Sequence, residues 1–167
     1  TGEDARAYEE FLAAAAEDER MFVKFRFLDS PVFHRGLDGL DYEADLPLLA
    51  FADGKIVADA TLHQRQGGWK RHIGSVSLLT HPAYKNLGLA DLLIEELFEV
   101  AKHCGLSKLE AEFNGEREVA IQAFAECGFR ELARIPDYVR DMQAKDRDYV
   151  LMGMDVATPE EFASAGD

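Results

Sequence analysis

The stretch HPAYKNLGLADLLIEELFEVAKHCG, residues 81–105, carries the most informative pattern in this 167-residue chain. Residues 88–104 predict a helix because their leucines recur on one stripe, and Gly105 ends it as a C-cap. A helix start leaves backbone N–H groups unpaired at the positive end of the helix dipole. Gly88 and Ala90 in the first turn would leave those groups open, so the stretch predicts a binding site for a phosphate group.

These residues alone leave two interpretations open, since Gly and Ala also start helices in plain strand–loop–helix connections. Lys85 lies on the approach and could add a charge-assisted contact to a phosphate, while Pro82 stiffens the entry. The spacing matches neither Gly-x-x-x-x-Gly-Lys-Ser/Thr nor Gly-x-Gly-x-x-Gly. It therefore excludes a P-loop and a dinucleotide fingerprint.

The rest of the chain predicts a mixed sheet with helices. Strands are predicted at 46–52, 55–64, 71–79, 107–113 and 148–154, and a further strand is predicted to start at 129–132. Helices are predicted at 4–18, 88–104 and 116–127. Asp53-Gly54, between the first two strands, is a strong hairpin signal. Residues 21–28 read as a helix end or short strand, 31–45 as a loop with some helix, and 155–167 as a flexible tail.

This order of elements predicts an α/β (α+β) fold, with a mostly antiparallel central sheet of about six to seven strands flanked by helices. The whole chain, 1–167, is expected to form a single domain with its core at 46–154.

Composition narrows the classes of partner. The chain has 18 Lys and Arg against 32 Asp and Glu, a net charge of −14, which would repel nucleic acid. This charge would attract an amine-bearing substrate, or it only keeps the protein soluble. No stretch reaches the roughly 20 apolar residues of a membrane span, and no signal peptide is evident, so a cytoplasmic location is expected. Cys104 and Cys127 are predicted to be buried, reduced thiols, and five scattered histidines predict no metal site.

The stretch from Leu48 to about Gly153 resembles the Gcn5-related N-acetyltransferase (GNAT) family. The acetyl-CoA signature of that family is Arg/Gln-x-x-Gly-x-Gly/Ala at the start of the helix that follows a long central strand. Lys85, Gly88 and Ala90 stand at its three positions here. The preceding residues 81–84 resemble the usual lead-in of the family, and 127–129 match its helix ending in Gly-Phe.

The resemblance implies that two central strands splay apart and that acetyl-CoA lies in the gap. Backbone groups near Leu78, Leu79 and His81 would pair with the pantetheine arm, and amides of 87–90 would hold the pyrophosphate. A contact of Arg117 with the CoA 3′-phosphate is a hypothesis. The full set of expected cofactor contacts is Leu78, Leu79, His81, Lys85, Asn86, Leu87, Gly88, Leu89, Ala90, Asp91, Arg117 and Phe124.

The resemblance also implies direct attack of a neutral amine on the thioester, without a covalent intermediate or a metal. Many members carry a Tyr that protonates the departing sulfur, but Phe124 stands at that position and has no proton to give. Glu112 is the first candidate base, and strand alternation places Glu110 on the same face. Both glutamates could instead be solvated or salt-bridged surface acids.

Four other residues remain candidates for proton transfer. His81 and His72 are alternative bases, and Tyr84 and Tyr138 are alternative acids.

The function that the resemblance implies is transfer of an acetyl group from acetyl-CoA to a primary amine of a small molecule or protein. Because of Phe124, a catalytically weak or inactive acyl-CoA-binding regulatory module is the alternative. A nucleotide-binding protein that uses the same helix start for ATP is a third idea. The sequence leaves the oligomeric state open, with a homodimer as one alternative.

Overall fold

The computed structural model describes residues 2–14 and 44–156. Three α-helices and six strands lie in these ranges: α1 (Gly2–Ala14), β1 (Asp45–Ala52), β2 (Lys55–His63), β3 (Ile73–Thr80), α2 (Leu89–His103), β4 (Lys108–Asn114), α3 (Glu118–Glu126), β5 (Arg130–Arg140) and β6 (Asp146–Asp155). A short 3-10 helix, Pro82–Tyr84, precedes α2. The predictions for 15–18, 21–28, 31–43 and 157–167 lie outside the described residues.

The six strands form one sheet in the order β1-β2-β3-β4-β6-β5. Every neighbouring pair is antiparallel except β3 and β4, which confirms the predicted mixed, mostly antiparallel sheet. The hairpin predicted at Asp53-Gly54 is also confirmed. Both residues have positive φ, 50° and 75°, as a two-residue turn of type I′ requires.

Some boundaries and one burial prediction are wrong. β5 begins at Arg130, within the predicted start at 129–132, and continues to Arg140, an end that the sequence did not predict. Two register irregularities interrupt its pairing with β6. β6 runs to Asp155 and Val156 is buried, so ordered structure extends past the predicted core end. Cys104 is exposed, because it caps the C-terminal end of α2, and Cys127 is half-buried.

The two faces of the sheet are covered differently. On one, here called the α2 face, residues of α2 and α3 such as Ile94, Leu97 and Phe124 pack with alternate residues of the central strands in a buried cluster. On the opposite one, the α1 face, Tyr8, Phe11 and Leu12 of α1 pack against Ile56 and Leu79. A fully buried leucine side chain contributes about 1.5–3 kcal/mol, so these clusters fix both helix layers.

Buried polar groups also hold α1 on the sheet. The Tyr8 hydroxyl donates a hydrogen bond to Asp59 Oδ2, and Thr61 Oγ1 donates to Asp59 Oδ1 at 2.9 Å. Asp59 is only 5% exposed, and burial raises the pKa of its carboxyl group above the usual value despite these two donors. Because burial outweighs the hydrogen bonds, the ionised carboxylate costs the fold stability.

We expect Asp59 to make the folded state less stable as pH rises. A raised pKa in the folded state means that the folded chain binds more protons than the unfolded chain, from about pH 4 upward. The free energy of unfolding should therefore fall with pH relative to that of Asp59→Asn, which cannot ionise. Urea unfolding of both proteins at pH 4.5, 6 and 7.5 measures the difference. A difference that stays constant over this range would contradict the prediction.

Candidate active site

A gap opens in the middle of the sheet, between β3 and β4. These parallel strands pair only at three positions, Ile73 with Lys108, Gly74 with Leu109 and Ser75 with Glu110. Beyond Ser75 the two strands diverge, and β4 continues to pair with β6 on its other side. The predicted splayed pair is thus confirmed. The edge of β3 from 76 to 80 that faces β4 has no strand partner within the described part of the chain.

The turn that follows β3 shapes one end of the gap. The His81 N–H donates to Val57 O at 2.8 Å, and His81 Nδ1 accepts a hydrogen bond from Ala83 N at 3.1 Å. The His81 ring also meets the Tyr84 ring edge to face, with centroids 5.7 Å apart. These contacts use the imidazole to cap the short helix Pro82–Tyr84, so the alternative base has a local structural role.

No side chain of residues 2–14 or 44–156 caps the backbone N–H groups at the start of α2. Asn86 and Gly88 have φ of 61° and 75°, and Gly88 caps the helix in the left-handed conformation without a side-chain cap bond. Alternation of left-handed residues turns backbone N–H groups toward one concave side, which suits an anion. A Cβ at Gly88 would meet no atom within 4 Å, so the space above this backbone is free in the described structure. The helix start therefore has the open backbone that the sequence predicts, and phosphate binding there stays a prediction.

Other expected cofactor contacts surround this helix start. Lys85, Asn86, Leu87 and Asp91 are exposed, Leu89, Ala90 and Leu78 are half-buried, and Leu79 is buried. Asp91 accepts a hydrogen bond from Cys127 Sγ at 3.3 Å. Burial of the thiol, together with this bond and the Asp91 charge, raises the pKa of Cys127 to about 12. The thiol therefore stays protonated and links the start of α2 to the end of α3.

Two predicted cofactor residues lie beside β4. Arg117 caps the start of α3, and its N–H donates to Asn114 O at 3.0 Å. Phe124 is 2% exposed and contacts Phe113 and Phe129 edge to face, with ring centroids 5.0 Å apart in each pair. An aromatic core cluster thus surrounds the ring that replaces the expected tyrosine. Its contact with a cofactor stays a prediction.

The two glutamates of β4 share a face but have different environments. Glu110 is 5% exposed and accepts a hydrogen bond from Lys70 Nζ at 2.7 Å. Glu112 is exposed and accepts a hydrogen bond from the Tyr149 hydroxyl at 3.1 Å. Partial burial and the nearby Glu112 carboxylate raise the pKa of Tyr149 to about 12. Glu112 is therefore the carboxylate open to an incoming group, whereas Glu110 is held in an ion pair.

The other candidate proton-transfer residues, His72 and Tyr138, lie at different distances from Glu112. His72 is exposed in the turn before β3, and its carbonyl accepts hydrogen bonds from Ser107 N and Lys108 N. Tyr138 is 67% exposed and contacts the Tyr149 ring, with centroids 5.8 Å apart. Tyr138 therefore lies near the Glu112–Tyr149 pair, and His72 at the far end of β3.

Sequence reasoning missed Lys70 and Tyr149 as neighbours of the two glutamates. Each meets its carboxylate through strand pairing or a turn, and no short motif marks such contacts. Among the described residues no group of three or more His, Cys, Asp or Glu is placed to hold a metal ion. No helix in this part of the chain is long and apolar enough to cross a membrane.

Comparisons with known proteins agree with this geometry. The sequence model of the Acetyltransferase (GNAT) family matches residues 6–129. An acetyltransferase of the GNAT family from Streptococcus pneumoniae is 28% identical with a TM-score of 0.64, and the match covers 69% of this chain and 68% of that one.

Two more distant structures share the fold. The ribosomal-protein-S18-alanine N-acetyltransferase from Escherichia coli is 18% identical, with a TM-score of 0.69 over 95% of this chain and 91% of that one. The protein yncA from Salmonella typhimurium, solved with its cofactor acetyl-CoA, is 20% identical, with a TM-score of 0.62 over 66% and 64%. With three-quarters of its length matched by the family model, a split central sheet and an open helix start, the chain belongs to the acetyltransferase (GNAT) family.

Proposed function

We propose that this acetyltransferase transfers the acetyl group of acetyl-CoA to a primary amine of a small molecule or protein, within a single domain. The observation that carries the proposal is the split between β3 and β4, which has an open helix start at one end and the Glu112 carboxylate on its β4 wall. Acetyl-CoA would lie in the split. The acceptor would reach it from the α1 face, where Glu112 projects.

Binding would rest mainly on backbone. The pyrophosphate would accept hydrogen bonds from amides at the start of α2, at the positive end of the helix dipole. Gly88 keeps this surface clear of side-chain atoms. The unpaired edge of β3 over 76–80 would offer its peptide groups to the pantetheine arm in the manner of an added strand.

The reaction needs one base and one acid. Glu112 would take the proton of the attacking amine as the C–N bond forms, and the C–S bond would then break to release a thiolate that must be protonated. Phe124 offers that sulfur no proton. The negative net charge and the carboxylates on the α1 face favour a cationic acceptor, which arrives as an ammonium ion and must lose a proton before it attacks.

Two acceptor classes fit this site. The E. coli neighbour is named for an alanine of a ribosomal protein, a protein amino group, but at 18% identity that likeness extends to the fold alone. A small polyamine would suit the acidic face equally well. Release of free thiol from acetyl-CoA, measured with spermidine, lysine and a peptide with an N-terminal alanine, distinguishes the classes.

A non-catalytic acyl-CoA-binding module is the second candidate, and the buried aromatic setting of Phe124 favours it. The thiol-release measurement decides between the two, because such a module would bind acetyl-CoA and release no CoA with any amine. For an active enzyme we propose a cytoplasmic location, which its acetyl-CoA substrate and two free cysteines would suit.

CoA should stabilise the fold more than ATP does. At a CoA concentration of about 100 Kd the free energy of unfolding should rise by about 2.7 kcal/mol. For a chain of this size, this corresponds to an increase in Tm of about 5–10 °C. Thermal unfolding with CoA, ATP or neither measures the difference. An equal shift with ATP would favour a general nucleotide site, and no shift with CoA would contradict the proposed function.

A further inference from the structure

Three polar side chains on the α1 face form a hydrogen-bonded row that leads to the split. They are Asp45 at the start of β1, His63 at the end of β2 and Ser77 in β3. We propose that this row is a proton relay, in which the Ser77 hydroxyl protonates the thiolate that leaves acetyl-CoA. The proposal rests on the proposed function, since it needs acetyl-CoA in the split.

The contacts of the row fix the orientation of the imidazole. His63 Nδ1 lies 2.5 Å from Asp45 Oδ1, and His63 Nε2 lies 3.0 Å from Ser77 Oγ. A carboxylate only accepts hydrogen bonds, so Nδ1 carries a proton and Nε2 faces the hydroxyl. The His63 side chain is 13% exposed and that of Asp45 34% exposed. The ring is thus held by both neighbours and largely shielded from water, while the carboxylate at its outer end is in contact with solvent.

The strand register places the inner end of the row at the split. Ser75 is the last residue of β3 that pairs with β4, and its partner is Glu110. Two residues farther along each strand, on the same face, stand Ser77 and Glu112. Continuing the register would therefore set Ser77 opposite Glu112, one on each wall of the opening. A thioester lying between the strands would have a hydroxyl on one side and a carboxylate on the other.

The connectivity suits proton donation. A carboxylate, imidazole and hydroxyl joined in this order make the arrangement through which serine hydrolases move a proton between serine and a leaving group. On the opposite wall Glu112 already accepts the amine proton, and Phe124 has none to give. The β3 wall therefore supplies the missing acid.

Bonds and protons balance in the proposed step. The C–S bond breaks, and the sulfur takes the Ser77 hydroxyl proton as it leaves. Ser77 Oγ takes a proton from Nε2 of a His63 ring that carries two. Asp45 keeps the Nδ1 proton in place, and solvent returns one proton to the ring before the next turnover. No covalent bond to the enzyme forms.

The decisive experiment compares two serines of β3 that face the same side. Ser77→Ala should lower kcat about 30-fold with the best amine of the panel, somewhat less than the roughly 100-fold minimum usual for general acids, because a thiolate leaves readily. The KM for acetyl-CoA and the affinity for CoA should stay within about twofold. Ser77→Thr, which keeps a hydroxyl, should recover most of the rate. Ser75→Ala is the matched control and should behave like the wild type.

A second measurement tests whether the row acts as a unit. The double variant Ser77→Ala/His63→Asn should be no slower than the slower single variant, whereas independent roles would multiply the losses. Urea unfolding of each variant separates loss of the step from loss of the fold. A wild-type kcat for Ser77→Ala, no recovery with threonine, or an acetylated Ser77 in acid-quenched protein would overturn the relay. Failure of the wild type to bind CoA would instead reject the proposed function.

Discussion

Gly88→Val is expected to lower the affinity for CoA by about 100-fold or more, which corresponds to about 2.8 kcal/mol. Two physical effects add in the same direction. The left-handed φ of 75° is strained for a β-branched residue, so the loop would shift and misalign its amides. The new methyl groups would also occupy the space where the structure leaves more than 4 Å free and where the pyrophosphate would lie. Isothermal titration calorimetry with CoA measures the loss.

Gly54 supplies an unusually close control for this variant. It has the same φ of 75° and equally open space where a Cβ would lie, but it belongs to the hairpin turn between β1 and β2. Gly54→Val should therefore cost similar stability and leave the affinity for CoA unchanged. Equal affinities for the two variants would contradict phosphate binding at the start of α2.

Features encoded within a few residues could be predicted from the sequence. The Asp53-Gly54 turn and the glycines at 105 and 128 mark where elements end, and all four residues have positive φ in the structure. The start of α2 belongs to the same class, since Gly88 and its neighbours determine its shape locally. The family signature extends over such local features, which explains why it predicts both the fold and the shape of this loop.

Contacts that depend on strand register could not be predicted. The sequence places Glu110 and Glu112 on one face, but only the pairing of β4 with β6 brings Tyr149 to Glu112, and only the turn before β3 brings Lys70 to Glu110. His63 and Ser77 are likewise 14 residues apart and meet across two strands. A shift of one residue in register would move each partner to the opposite face.

The length of β5 escaped prediction for a related reason. Pro136 and the polar residues around it resemble a loop, and a proline interrupts a strand ladder. The structure accommodates it where the pairing with β6 is irregular, between Ile135 and Val139. An edge strand with a bulge of this kind tolerates residues that a central strand would not.

Glu112→Gln is expected to lower kcat by about 100-fold to 1000-fold, the lower part of the range in which removal of a general base usually falls. Glutamine keeps the size of the side chain and an oxygen that can accept the Tyr149 hydrogen bond, but it cannot take a proton from the amine. The affinity for CoA should not change, because in the proposed site the carboxylate would face the acceptor and not the cofactor. A kcat within threefold of the wild type would remove Glu112 from the reaction.

Glu110→Gln is the matched control for this variant, because Glu110 lies two residues away on the same face. Glu110 is buried and held by Lys70, so its replacement leaves a lysine without its charged partner and should lower the free energy of unfolding by about 1–3 kcal/mol. Its kcat should fall far less than that of Glu112→Gln. The two variants differ only in which carboxylate is lost, the buried one paired with Lys70 or the exposed one proposed to face the acceptor. If Glu112→Gln loses kcat and Glu110→Gln loses stability, proton abstraction belongs to Glu112. Because the two side chains have the same chemistry, the difference between them must come from their environments.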